Sequence, residues 1–209
     1  MAGPRGEYRK SAQRREQILD AAFVVFSRSG YTAGSVSEIA RQVGISQTSV
    51  MHHFAGGKLA LLRGVLERRD ATAEGLLQGL EGRDFLGALV EISRRQTGQR
   101  GVVQLYRILS TEATDPEHPA HAYFRERSHR IADAVTVAFA QAKAAGQLRE
   151  GVDPRAAALS TLSMTEGLEM MWLYGHDVDM ADDIRVFIDS FLTDPLEPAA
   201  GRSAIALGD

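Results

Sequence analysis

Gln47, Thr48 and Ser49 follow Ser46 at the start of a short helical pattern. Small polar side chains in that place suit one kind of chemistry. An amide such as Gln47 can bond adenine through two contacts, and the hydroxyls of Thr48 and Ser49 can reach bases or phosphates. The same residues also serve to cap and solvate a helix, and Ser46 suits capping best. Three further groups able to meet a phosphate stand downstream: His52, His53 and Lys58. The histidines are adjacent, so they point about a quarter-turn apart and do not face one metal comfortably. One is expected at a phosphate and the other against the first helix. Lys58 opens a new helix, whose exposed amides add to its charge; the bland alternative is a solvated surface lysine. Upstream, Ser35 and Ser37 can place an amide and a hydroxyl on a phosphate backbone, with Thr32 a weaker candidate.

The elements that must position these groups are legible in residues 35–58, SVSEIARQVGISQTSVMHHFAGGK. Ser35 with Glu38 has the spacing of a capping box. Val36, Ile39, Ala40 and Val43 recur at helical spacing along one face. Gly44 can take the left-handed conformation that stops this helix. Ile45 packs under the turn, and Val50 and Phe54 hold the second helix to its neighbours. Two helices meeting at a glycine, the second small and polar at its start, describe a helix-turn-helix able to enter a DNA major groove. An earlier helix, about 11–29, carries Ile18, Ala22 and Phe26 as an i, i+4 ladder with Leu19 and Phe23 beside it, and Gly30 ends it. Its role is to bury the back of the helix-turn-helix. Residues 1–10, with Arg5, Arg9 and Lys10, read as a flexible basic arm, either disordered or lying in a minor groove.

The whole chain has 209 residues, 44% hydrophobic and 24% charged, ordinary values for a globular protein with an ample core. It has no cysteine, which excludes disulfides and thiolate metal sites. No apolar run approaches a membrane span and no signal core follows the basic start, so a cytoplasmic protein is expected. The net charge of −3 hides an asymmetry. Residues 1–58 hold eight Lys/Arg against four Asp/Glu, and residues 59–209 hold sixteen against twenty-three. A basic head on an acidic body suits phosphate approach by the head, although chance clustering produces such an excess too.

Beyond Lys58 the periodicity is helical throughout, with helices expected near 58–79, 83–97, 100–113, 118–146, 153–174 and 180–193, and a tail from Asp194. Asp153-Pro154 is a clear helix start. The fold class is therefore all-α: a helix-turn-helix head over 11–57, then a helical body over 58–193. In the body, Glu166 shares a helical face with Leu159, Leu162 and Met170, and a carboxylate on an apolar face needs a partner. With Tyr106, Met164, Met170 and Trp172 it can line a ligand pocket; a Glu166–Arg pair, or plain core packing, is the competing account. Ile184, Phe187, Ile188, Phe191 and Leu192 form an apolar stripe on the last helix. With Leu162 they are the expected dimer contact, unless the stripe packs only inside the monomer. His118 and His121, in the DPEHPAH segment, have helical metal-ligand spacing, but Pro116 and Pro119 make a shaped loop the better reading, and no metal or cofactor is expected.

The order FSRSGY, then SVSEIARQVGISQTSVMHHF, then GGKLALL resembles the TetR-type family of bacterial transcriptional regulators over residues 11–66. Around TEATDPEHPAHAYF the body resembles the C-terminal domain of actinobacterial members and of the choline-responsive branch, a likeness that assigns no ligand. The resemblance implies a homodimeric repressor that binds double-stranded DNA at a palindromic operator and leaves when an unidentified small molecule occupies the body. It also implies an intersubunit four-helix bundle from the last two helices. Two departures stand out. Met51 occupies the place of a usual tyrosine that touches phosphate, and GGK is one residue longer than the common proline-serine-lysine turn. An enzyme is not expected, since no nucleophile elbow, phosphate-binding glycine loop or HExxH spacing occurs. The alternative function is a DNA-binding protein without an effector, architectural or partner-regulated.

Overall fold

The computed structural model describes residues 4–196. Among them the chain forms nine α-helices: α1 (Pro4–Ala33), α2 (Val36–Val43), α3 (Gln47–His53), α4 (Gly57–Leu77), α5 (Gly82–Thr97), α6 (Arg100–Glu112), α7 (His121–Ala144), α8 (Pro154–Leu173) and α9 (Met180–Asp189). The extended pairing among the described residues is a single bridge between Leu148 and Leu192. That bridge explains why the last helix stops at Asp189 and not at 193. The Phe191 and Leu192 amides still turn back to Ile188 O and Asp189 O, but the Arg149 amide donates to Phe191 O and the Thr193 amide to Gln147 O, so the chain here bonds sideways to 147–149.

The basic arm expected over 1–10 is corrected for the part that is described. Residues 4–10 continue α1, for which Pro4 is a compatible start and which meets no breaker other than Gly6 before Gly30. Residues 1–3, and the tail beyond 196, lie outside the described residues. Gly30 interrupts α1 at φ 71°, ψ −173°.

The helices gather into two compact units. The first holds the chain up to residue 74 together with 100–124, and so exceeds the 11–57 head read from the sequence. The reason is its core. Ile18, Ala22 and Phe26 of α1 pack with Ile39 of α2, Val50 of α3, Leu61 and Leu62 of α4, and Leu105 and Leu109 of α6. Burying one such side chain contributes about 1.5–3 kcal/mol, and α4 and α6 supply apolar surface that the first three helices lack. The second unit comprises 75–99 and the chain from 125. Leu86 and Val90 of α5, Val135 and Phe139 of α7, Ala157 and Leu168 of α8, and Ile184 and Ile188 of α9 form its core. No helix among the described residues is long and apolar enough to cross a membrane.

Candidate DNA-binding site

The site begins with its caps. Ser35 Oγ accepts the Glu38 amide at 3.1 Å, whereas the Glu38 carboxylate turns to Arg41 at 3.6 Å, so one half of the expected box forms. Gly44 takes φ 71°, ψ 34°, and the Ile45 amide donates back to Ala40 O at 3.0 Å. That is the bond that closes a helix on a left-handed residue. It sets half-buried Ile45 against the first core and begins the turn that leads into α3. Ser46 then caps α3, accepting from the Ser49 amide at 3.1 Å and lying 2.9 Å from the Ser49 hydroxyl.

This bonding sorts the predicted contacts. Ser49 is half-buried and its hydroxyl is engaged by the cap, while Gln47, Thr48 and His52 are exposed, as are Ser35 and Ser37. Val50 is fully buried and Phe54 nearly so, and they seat α3 on the core. Arg15 of α1 locks the far end of α3: its guanidinium lies 4.2 Å over the Phe54 ring and donates to His53 O. The two histidine rings meet edge to face at 5.8 Å, with His52 outward and His53 beside α1. Met51 is exposed, and a Cβ placed on Gly57 would sit 3.2 Å from its terminal carbon. The residue in the tyrosine position thus lies against the turn that opens α4.

Lys58 differs from the free cation expected. Its ammonium donates to Thr32 O at 3.2 Å and lies 4.6 Å over the Tyr31 ring. Burial lowers its pKa, and the nearby Glu112 carboxylate opposes that shift. Glu112, at the end of α6, had no place in the sequence reading. Its carboxylate accepts the Tyr31 amide at 2.7 Å and the Thr32 amide at 3.2 Å, at the step from α1 to α2. A Cβ on Gly30 would stand 2.5 Å from Glu112 Oε1, so glycine is required there twice over, by φ and by space. His118 completes the cluster. Its Nδ1 accepts the Ala120 amide at 3.2 Å, which puts the proton on Nε2, 3.8 Å from Glu112. His121 is engaged elsewhere, its Nδ1 2.9 Å from Ala113 O. No local signal marks Glu112, since the two amides it accepts lie about eighty positions away in the chain.

The body residues are redistributed. Tyr106 belongs to the first unit, where its hydroxyl donates to buried Asp70 at 2.7 Å; the Tyr123 hydroxyl donates to the other oxygen of the same carboxylate. Met164, Glu166, Met170 and Trp172 belong to α8 in the second unit. Glu166, expected on an apolar face and in need of a partner, is exposed to solvent. The ladder Leu159, Leu162, Glu166, Met170 is real but lies on the less buried side of α8, and the buried carboxylate is Glu169. Met164 and Trp172 pack against the second core. Instead, a cavity of about 760 Å³ lies among α5, α7 and α9, lined by residues including Arg83, Glu91, Arg94, Gln141 and Arg185. The dimer stripe is likewise corrected in part. Ile184 and Ile188 are 1% and 0% exposed and belong to the second core, while Phe191 stacks edge to face on Phe139 at 5.8 Å and on Phe187 at 5.2 Å. Leu162 is half-buried against that core. On α8, α9 and the turn between them, the large apolar side chains left outside are Leu159, Met171, Tyr174 and Val186, the last two 75% and 58% exposed; Leu80 and Val137 are exposed elsewhere in the unit.

Residues 18–65 match the profile of the bacterial regulatory proteins, tetR family. The stretch runs from the α1 ladder through the helix-turn-helix into α4. The HTH-type transcriptional regulator TtgR of Pseudomonas putida is 24% identical over 196 residues, covering 88% of this chain and 91% of that regulator. A TetR-family regulator from Agrobacterium tumefaciens superposes with a TM-score of 0.74 at 18% identity, over 87% of this chain and 99% of the other. A transcriptional regulator from Saccharomonospora viridis, solved in complex with choline, superposes with a TM-score of 0.73 at 21% identity, over 87% and 98%. A capped, glycine-turned helix pair with an exposed polar edge, spanned by that profile, makes residues 18–65 a TetR-type DNA-binding head, in a chain similar over most of its length to bacterial transcriptional regulators.

Proposed function

We propose that the protein is a homodimeric repressor that reads a palindromic operator and is released by a small molecule held in its body. The observation that carries the reading is the edge of α3, where Gln47 and Thr48 are exposed beyond a cap that consumes Ser46 and Ser49. Gln47 reads a base, Thr48 a base or phosphate, and Ser35, Ser37, His52 and Lys58 hold the backbone. Lys58 must exchange Thr32 O for a phosphate oxygen to do so. A palindrome requires two heads about one helical turn apart, roughly 34 Å. The exposed Leu159, Met171 and Tyr174 of the α8 region with Val186 of α9 offer the apolar surface for pairing, in place of the buried isoleucines.

Release is a matter of geometry. Helix α4 begins beside Lys58 and is tied within the first unit to α6 and α7 through Asp70, Tyr106 and Tyr123. A ligand that favours another tilt of these helices changes the spacing of the two heads and lowers operator affinity by its differential affinity for the two states. Relatives in fold support a small-molecule effector: one is solved with choline and another, FadR of Bacillus subtilis, with stearoyl-CoA. The second unit's cavity of about 760 Å³ falls in the range of small-ligand sites. A DNA-binding protein confined to the cytoplasm suits all of this.

The test is selection of bound fragments from a random duplex pool, followed by binding against salt. The expected result is a palindromic consensus with steep salt dependence, and then a screen for solutes that release it. Salt-sensitive binding without a consensus would favour the architectural alternative. No binding to any duplex would overturn the assignment of the head.

A further inference from the structure

Beside α3 lies a second groove, with no acid among its described lining residues. It has a volume of about 480 Å³ and is lined by Lys10, Ser11, Gln13, Arg14 and Gln17 of α1 and by His53 at the end of α3. Positions 10, 13, 14 and 17 follow the i, i+3, i+4, i+7 rule, so they form one face of α1. Glu16 and Asp20 of α1 are used on another face, where they pair with Arg68 at 3.0 and 2.8 Å. Among the described residues Lys10 and Arg14 have no ion pair, and the described groove lining holds no acid to offset them. His53 senses that charge: burial first, then His52, Arg15 and Arg14, hold its pKa below the ordinary value. Arg15, bonded to His53 O and stacked on Phe54, ties this part of α1 to the end of α3.

We propose that this groove is a second phosphate-binding site, in which Lys10 and Arg14 take two phosphates of one DNA strand beside the groove that α3 enters, with Gln13, Gln17 and the His53 ring donating neutral hydrogen bonds. The proposal rests on the DNA-binding reading above and extends it to α1. Lys10 and Arg14 are one turn apart, about 6 Å along the axis, more than the rise of about 3.4 Å between phosphates of one strand, so each can meet a phosphate of its own. A free anion offers no such row of charges, so the occupant is the duplex backbone. Contacts of this kind carry affinity and register but no sequence information. A base reader on α3 and a backbone reader on α1 therefore differ in what their removal does.

The experiment measures binding of the full-length protein to its selected duplex and to a random duplex from about 50 to 300 mM salt, a range in which phosphate contacts dominate the change. The variants are Lys10→Gln, Arg14→Gln, the pair together, and the charge-retaining pair Lys10→Arg/Arg14→Lys. Each lost phosphate contact should lower the log–log salt slope by about 0.9, so the double variant should lose about 1.8. Affinity should fall by the same factor on both duplexes, and the charge-retaining pair should restore the slope. Lys10 is exposed and Arg14 half-buried, and far-UV circular dichroism checks that α1 persists. A double variant with the wild-type slope on the selected duplex would overturn the groove and leave the α3 reading standing. A selective loss on the selected duplex alone would overturn it too, by making these residues base readers. If the wild-type protein binds no duplex, both readings fall together.

Discussion

Replacing Glu112 tests whether α6 holds the entrance to the helix-turn-helix. Its carboxylate accepts two consecutive amides, those of Tyr31 and Thr32, at 2.7 and 3.2 Å. Hydrogen bonds to a charged group contribute about 1.5–3 kcal/mol each when desolvated. The Glu112 side chain is 24% exposed, so water can reach the amides and replace part of that contribution. Discounting for it leaves about 2 kcal/mol for the pair. Glu112→Ala should therefore lower the unfolding midpoint by about 4–8 °C in a chain of this size. If operator binding requires the ordered turn, it should also weaken affinity by up to about thirtyfold, the factor that about 2 kcal/mol represents. Glu112→Gln keeps one acceptor and places a donor against the other amide, so about half the loss is expected. Gly30→Ala should cost more than either, because φ is positive there and the new Cβ meets Glu112 Oε1. The steric part vanishes once Glu112 is shortened. Gly30→Ala/Glu112→Ala should accordingly be less damaging than the sum of the single changes, by about 0.5 kcal/mol or more. The assays are thermal unfolding and operator binding on the same preparations. Single variants within about 0.5 kcal/mol of wild type in both, with strict additivity in the double, would refute the reasoning.

Three further outcomes follow from the site and the body. Gln47→Ala should relax preference at one base position by about 1–3 kcal/mol, read by repeating the selection; uniform weakening at every position would remove Gln47 from the base readers. Lys58→Ala should weaken binding on all sequences and lower the salt slope by about one. An unchanged slope with a lowered unfolding midpoint would assign its amine to Thr32 O alone. Val186→Arg, at an exposed position, should convert a dimer to a folded monomer in sedimentation. Ile184→Arg, which buries a charge in the second core, should instead unfold the unit. Equal behaviour of these two variants would contradict the division of α9 into a core face and a pairing face.

Much of this protein was readable without its structure, because the deciding interactions are short-range. Ser35, Gly44, Ser46 and Asp153 act on amides within six residues, so caps and breaks follow from local spacing. The helix-turn-helix is made almost wholly of such contacts, which is why its register was legible and why a family profile matches it. The number and order of helices come from the same source, a 3.6-residue periodicity bounded by glycine and proline. Periodicity also located the apolar stripes on α8 and α9. It did not say which way they face.

That choice belongs to long-range packing. A stripe at helical spacing is equally compatible with a monomer core and with a subunit interface; Ile184 and Ile188 went to the core because Phe139 and Leu86 arrived opposite them. Glu166 and Glu169 differ by three positions, under one turn, yet neighbours from other helices expose the first and bury the second. Lys58 reads as a free cation until Thr32 O and Tyr31 come beside it. Glu112 is one acid among twenty-seven Asp and Glu residues until α6 brings it to the amides after Gly30. Where each helix starts, what caps it and which edge of α3 is polar are settled within a turn or two of chain, and so they could be read from residue order. Which charges are already satisfied, and which apolar faces remain for a partner, depend on side chains far apart in the chain that meet only when the helices pack.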